Sequence, residues 1–232
     1  MTTKKNSPAG AAAGFCFAAA ALTGIVWVLA CFAPLMERMM TSYAPPEISL
    51  LPAAEYPGMA RMITDFLAGR IHDFQYVFTS GGTEWIGFHD YEAAHMTDCQ
   101  RLIGLDGIVT LALLAVLTLC ALPALRKGDR TRFRKGFLTG TGVFAALVAA
   151  GAIWALIDFD GLFTTFHHLA FTNDLWLLDP RTDLLIRLMP EEFFIAYGVL
   201  GAAVWLVILT AVTVPLIVRQ SKTGSPKERK EP

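Results

Sequence analysis

His95 and His167 are the residues in this chain whose type and setting best suit chemistry. Each stands in a polar stretch beside the entry to a long apolar run. Imidazole titrates near neutral pH, so such a pair can take a proton from a nucleophile and give one to a leaving group. The plainer reading is that each ring donates a hydrogen bond and holds its loop. His168 could stand in for its neighbour, whereas His72 and His89 each have one adjacent acid and less polar company. Glu92, His95 and Asp98 recur every third residue. On a helix that spacing sets the imidazole between two carboxylates, either of which could orient the ring and raise its basicity.

The Glu92-x-x-His95 spacing also supplies metal ligands in helical bundles, where it normally occurs twice. It occurs once here, and a zinc site would need completing by Asp98, His167 or Asp174. The expectation is therefore a site without metal or cofactor. No Gly-x-Ser-x-Gly elbow is present and Cys99 lacks an activating arrangement, which disfavours a covalent acyl-enzyme. Asn173 could donate to a developing oxyanion, although an Asn before Asp is as often a turn residue. Trp85, Trp176, Phe88, Phe163, Phe166 and Phe171 read as an interfacial aromatic belt, and a belt around paired histidines would also grip acyl chains.

These residues need elements to position them. In 232 residues, 54% of them hydrophobic, the apolar positions are clustered rather than spread with amphipathic period. Four runs, over 11–34, 105–125, 137–157 and 194–218, reach the roughly 20 residues that cross a hydrocarbon core. The net charge of −1 hides a strong asymmetry. Lys4 and Lys5 precede the first run; Arg126, Lys127, Arg130, Arg132, Arg134 and Lys135 separate the second and third; Arg219, Lys222, Lys227, Arg229 and Lys230 follow the fourth. Stretches 1–10, 126–136 and 219–232 are thus expected on the cytoplasmic side, and the acid-rich 35–104 and 158–193 outside. The basic stretches set topology and give no sign of a nucleic-acid site. Cys16, Cys31 and Cys120 fall inside runs, so no disulfide framework is implied, and the VLAC ending at Cys31 is followed by too many spans for a signal peptide.

The fold expected is an all-α membrane protein: one integral domain over 1–232 with four transmembrane helices, cytoplasmic N and C termini, and two functional extracytoplasmic loops with interfacial helices. Ala and Gly in the first run, and Gly140, Gly142 and Gly151 in the third, suggest close helix packing. Proline-rich 43–57 excludes regular helix, and Met59, Met62, Ile63 and Phe66 then repeat at helical spacing up to a stop at Gly69. Alternation at Phe74, Tyr76 and Phe78 signals a short strand, turned by Ser80-Gly81-Gly82; a helix is expected over 85–101. The stretch 163–194 organises the rest. Asp179-Pro180-Arg181-Thr182 has the residues of a tight turn, Thr182 could cap a short helix ending near Met189, and Pro190, Glu191 and Glu192 suit the first turn of the last run.

Two motifs stand in order along the outward segments. One is E-x-x-HMxD at Glu92, His95, Met96 and Asp98. The other is HxxxFxNDxWxLDPxTDxLI, at His167, Phe171, Asn173, Asp174, Trp176, Leu178, Asp179, Pro180, Thr182, Asp183, Leu185 and Ile186, followed by PExFF. With the four runs, they resemble a family of bacterial four-span membrane proteins that includes the lipoprotein intramolecular transacylase. The resemblance implies a cell-membrane enzyme that moves the sn-2 acyl chain of a diacylglyceryl-modified lipoprotein onto its N-terminal cysteine amine, leaving a lyso-form lipoprotein. It implies His95 and His167 as catalytic, with Glu92, Asp98, Asn173 and Asp174 supporting them and Trp176, Asp179, Pro180 and Asp183 shaping the loop. Ala170 stands where the family has an aromatic, and Cys99 and Gln100 where Val and Lys are usual. Two rival readings are a metal-dependent membrane hydrolase using Glu92, His95 and His167, and a non-enzymatic membrane protein whose outward loops bind a partner.

Overall fold

A computed structural model of the chain describes residues 7–127 and 130–224, so Lys4, Lys5, Lys227, Arg229 and Lys230, on which part of the topology reading rests, lie outside the described residues. Helices α1 (Pro8–Ala30), α2 (Ala33–Tyr43), α3 (Pro46–Ser49) and α4 (Tyr56–Leu67) come first. A hairpin of β1 (Val77–Ser80) and β2 (Thr83–Ile86) leads to α5 (Asp90–Lys127). Then follow α6 (Arg130–Ile157), α7 (Phe159–Ala170), α8 (Leu184–Leu188) and α9 (Glu191–Gly224). Among the described residues, α1, α5, α6 and α9 are the four helices long and apolar enough to cross a membrane.

Several boundaries differ from the sequence expectation, each for a local reason. The first apolar run is broken: α1 ends at Ala30, and Pro34, which lacks an N–H, enters the first turn of α2 instead of a helix interior. Prolines in 43–57 likewise start helical turns at α3 and α4 rather than excluding them. Trp85 belongs to β2, not to a helix. Gly81 and Gly82 both take positive φ, at 61° and 80°. A two-residue hairpin turn requires this, and Ser80 then pairs with Thr83. Helix α5 runs unbroken for 38 residues. At the α-helical rise that is about 57 Å, well beyond a hydrocarbon core of roughly 30 Å. Its first turns therefore carry polar chemistry outside the apolar stretch. Asp183, not Thr182, is the N-cap of α8, while Thr182 N–H closes the expected turn on the Asp179 carbonyl at 3.0 Å.

The chain forms two compact units. One draws on Thr23–Val109 and Gly151–Ala202. Its core joins Met36 and Met40 of α2, Met59, Ile63 and Phe66 of α4, Leu184, Leu185 and Leu188 of α8, and Phe74, Phe88 and Phe193. The apolar face expected of 59–66 thus turns inward on α2 and α8. Each such side chain contributes about 1.5–3 kcal/mol by burial.

The other unit draws on the described parts of Met1–Leu22, Thr110–Ala150 and Ala203–Pro232. Here α1 and α6 approach through two glycine pairs. A Cβ at Gly14 would lie 1.9 Å from the Phe137 carbonyl oxygen, and one at Gly140 would lie 1.9 Å from that of Ala11. Gly10 and Gly136 are similarly tight, at 2.3 Å from the Phe133 and Ser7 oxygens. Backbone faces backbone. Thr141 Oγ1 donates to the Gly14 carbonyl across the seam at 3.1 Å. Gly142 and Gly151, expected to pack in the same way, meet nothing within 4 Å. Gly14→Ala and Gly140→Ala should each lower thermal stability in detergent, by about 1–3 kcal/mol for forced overpacking, whereas Gly142→Ala should leave the melting temperature unchanged. Equal behaviour of the three variants in a thermal melt would contradict the seam.

Candidate functional site

Two helices present the histidines. On α5, His95 lies one turn inside the start of a helix whose first turn carries Asp90 and Glu92, the charge sign that the positive helix end favours. Helix α7 was not foreseen in the sequence. Asp158 is its N-cap, accepting the Gly161 N–H at 2.9 Å, and a Cβ at Gly161 would come within 2.1 Å of that carboxylate. Phe159, Phe163, Phe166 and His167 recur at helical spacing along it. This signal was present in the sequence and masked by the polar residues between them.

The rings of His95 and His167 meet at 6.1 Å between centroids, tilted by 32°, and each residue is only 7% exposed. Phe163 lies 4.0 Å and Trp176 4.8 Å from the His167 ring, with Phe171 5.2 Å from that of His95. Phe163 and Trp176 thus lie against the His167 ring and Phe171 against that of His95, an aromatic wall around the pair. Cavities of about 360 and 460 Å³ occur elsewhere, lined by residues such as Leu119, Pro123 and Phe133 and by no histidine.

The hydrogen bonds define the nitrogens. His167 Nδ1 lies 2.7 Å from the Phe163 carbonyl oxygen. A carbonyl can only accept, so Nδ1 carries the proton and Nε2 keeps its lone pair. Burial pushes the His167 pKa below the ordinary 6.5, outweighing the raising effect of that carbonyl, and His168 adds to the lowering. His95 Nε2 lies 3.6 Å from Cys99 Sγ, a contact the sequence did not suggest, and its Nδ1 is buried with no partner among the described residues. His168, His72 and His89 are exposed, so none replaces either ring of the pair.

Residues 12–194 match the family model of the lipoprotein intramolecular transacylase Lit. The chain belongs to that family. Its fold is similar to the in meso structure of the membrane integral transacylase Lit from Bacillus cereus, with a TM-score of 0.73 at 15% identity over 92% of this chain and 96% of that one. Two variants of the Bacillus cereus protein, with one histidine changed to arginine or to alanine, each give a TM-score of 0.66. Their identities are 16% and 17%, over 93% and 92% of this chain and 92% and 94% of theirs. No curated protein matches the chain. Family and fold together make it a multi-pass membrane acyltransferase of the lipoprotein transacylase class.

In this Lit family member the supporting residues are placed differently from the sequence expectation. Glu92, fully buried, does not reach the His95 ring. Its two carboxylate oxygens accept the N–H groups of His89 and Leu185, both at 2.8 Å, which ties the start of α5 to α8. That also takes Glu92 away from the metal set with His95 and His167. The ligand atoms of Glu92 cluster instead with those of His89 and Asp183, within 4.8 Å, and both carboxylates there accept hydrogen bonds from the chain. Asp98 is shared between Arg101 and the Asn173 side-chain amide, each at 2.9 Å, while Asn173 Oδ1 accepts the Leu175 N–H at 3.2 Å. Asn173 is thus a strut between α5 and the loop. Asp174 is exposed and contributes its carbonyl to the same turn.

The loop closes on two carboxylates. Asp183 is buried, which works against its charge. Donors from Thr182 at 2.6 Å, Tyr91 at 2.5 Å and the Asp179 N–H at 2.8 Å nonetheless outweigh this and hold its pKa below the usual range. The Arg181 guanidinium holds Asp179 down to about 2, with Pro180 between them in the turn. Trp176, expected to shape the loop and to join an aromatic belt, has its ring against both His167 and His168. Glu92→Ala would leave two backbone N–H groups without their acceptor. At about 1–3 kcal/mol for each buried group, denaturant unfolding in detergent should show a clear loss of stability, and an unchanged midpoint would contradict the strut.

Proposed function

We propose that this chain moves the sn-2 acyl chain of a diacylglyceryl-modified bacterial lipoprotein to the free amine of its N-terminal cysteine, in the cytoplasmic membrane and on its extracytoplasmic side. The observation that carries this reading is the meeting of the two imidazoles, at 6.1 Å, from different helices of a family member. Amine and ester belong to one substrate molecule. The protein then has only to hold them close and move protons, so no covalent nucleophile is needed. Termini on the cytoplasmic side, with 35–104 and 158–193 outside among lipid headgroups, bring the site to its lipoprotein substrate.

The amine attacks the ester carbonyl carbon, a C–N bond forms, the bond to the glycerol oxygen breaks, and one proton passes from nitrogen to oxygen. His167 Nε2, with its lone pair, suits removal of the amine proton. Two buried rings this close do not both charge, so that proton reaches the glycerol oxygen through the pair, with His95 on the leaving side. Asp98 and Asn173 hold the loop against α5 while this happens.

Mass spectrometry of lipoprotein N-termini, from a host lacking the activity and expressing this chain, should find the lyso-form. His95→Ala and His167→Ala, at normal membrane abundance, should each abolish it, and product retained in both variants would refute these roles. The pH dependence has a defined sign. Neutral His167 is the competent base, and burial keeps it neutral further into acid than a free imidazole. In substrate-free protein the His167 ring should therefore take up its proton with a midpoint below pH 6.5, and a midpoint at or above that value would contradict the assignment.

A further inference from the structure

Acyl transfer builds negative charge on the carbonyl oxygen of the migrating chain, and a site that speeds it needs a donor aimed at that oxygen. Asn173, the residue that its type suggested for this task, already gives its amide to Asp98 at 2.9 Å and belongs to a strut. A different donor is present at the histidines. Trp176 Nε1 is buried and has no hydrogen-bond partner among the described residues. Its indole ring lies 4.8 Å from the ring of His167 and stands edge-on to His168 at 5.2 Å. A buried N–H without an acceptor costs about 1–3 kcal/mol, so a fold that keeps one needs a reason. Moreover, the second unpartnered buried nitrogen of this cluster is His95 Nδ1, on the ring that meets His167. Both unsatisfied groups gather around one imidazole pair, where the substrate carbonyl and the glycerol oxygen would supply the missing partners.

We propose that Trp176 is a catalytic residue whose indole N–H donates to the acyl carbonyl oxygen as it becomes an oxyanion. The inference rests on the acyl-transfer reading given above. In this step the amine lone pair adds to the carbonyl carbon and the C=O π pair moves onto oxygen, which accepts the Trp176 Nε1–H hydrogen bond. No proton leaves the indole. When the tetrahedral carbon collapses, the pair returns to the carbonyl, the bond to glycerol oxygen breaks, and the proton collected from the amine goes to that oxygen through the histidines. The indole face keeps its contact with His167 throughout, so packing and hydrogen bonding are separable roles of one side chain.

The test replaces Trp176 by 3-benzothienylalanine, which keeps the bicyclic shape and puts sulfur where the N–H was, with Trp176→Phe as a second variant. Purified full-length protein is assayed in detergent micelles against a diacylglyceryl lipopeptide with a free N-terminal cysteine amine. Removal of one oxyanion donor should lower kcat by about 100-fold or more, with KM within about twofold, the pH midpoint unchanged and the melting temperature no lower for the isostere, which also sheds an unpartnered buried N–H. Trp176→Phe should lose at least as much, so the result stands even if the isostere is poorly incorporated. A kcat for the isostere within about threefold of wild type, or a loss matched by a fall in melting temperature and restored in Trp176→Phe, would overturn the donor role. Wild-type protein that makes no lyso-form lipopeptide in this assay would overturn the acyl-transfer reading itself, a result distinct from active wild type with an equally active isostere.

Discussion

Two imidazoles buried with their centroids 6.1 Å apart cannot both hold a proton without a large cost. Burial removes the solvation that each charge needs, and each charge then repels the other. That constraint shapes the site around them. The aromatic wall of Phe163, Phe171 and Trp176 shields the rings and so keeps the pair neutral. The Phe163 carbonyl fixes one tautomer. Carboxylates lie nearby, but their oxygens are given to the frame: Glu92 to backbone N–H groups, Asp183 to the turn that carries it, and Asp98 to Asn173 and Arg101. A carboxylate bound to either ring would favour a standing imidazolium. The proposed proton relay, in which the pair accepts and releases one proton, is better served without one.

The long helices have a related task. Helix α5 carries His95 on turns that extend past its apolar stretch, and α7 brings His167 from a distant part of the sequence. Neither helix fixes the distance alone. Glu92 draws α8 to the start of α5, the core of α2, α4 and α8 fills the space beneath, and the Asp98–Asn173 bond brings the following loop to α5. The geometry at the histidines thus depends on contacts between segments far apart in the chain, several of them made by polar groups that are buried and bonded.

Much of this is legible in the sequence. Membrane-length runs show themselves by length and by lack of charge, and His95 and His167 by residue type beside such runs. What was not legible has a common physical cause. Periodicity says that Glu92 and His95 share a side of a helix, but not which backbone groups of another segment compete for the carboxylate. Leu185 N–H wins that competition. Pro45, Pro46 and Pro57 read as breakers because sequence gives their presence and not their position within a turn. Gly142 has the composition of a packing residue and faces open space, while Gly140, on the same helix, faces backbone. The polar spacing within 159–170 hid an amphipathic helix, and sequence alone could not show that the Trp176 N–H lacks a partner among the described residues.

The state of the histidine pair can be read without any substrate. Nitrogen-15 spectra of histidine-labelled protein in lipid bilayers, titrated from neutral into acid pH, report the proton on each ring nitrogen. The expected result is a neutral His167 with its proton on Nδ1, through-space correlation between the two rings, and uptake of the first proton only below pH 6.5. Independent titration of both rings near 6.5, with His167 protonated at Nε2 and no correlation between them, would contradict the paired, buried arrangement on which the proposed chemistry depends.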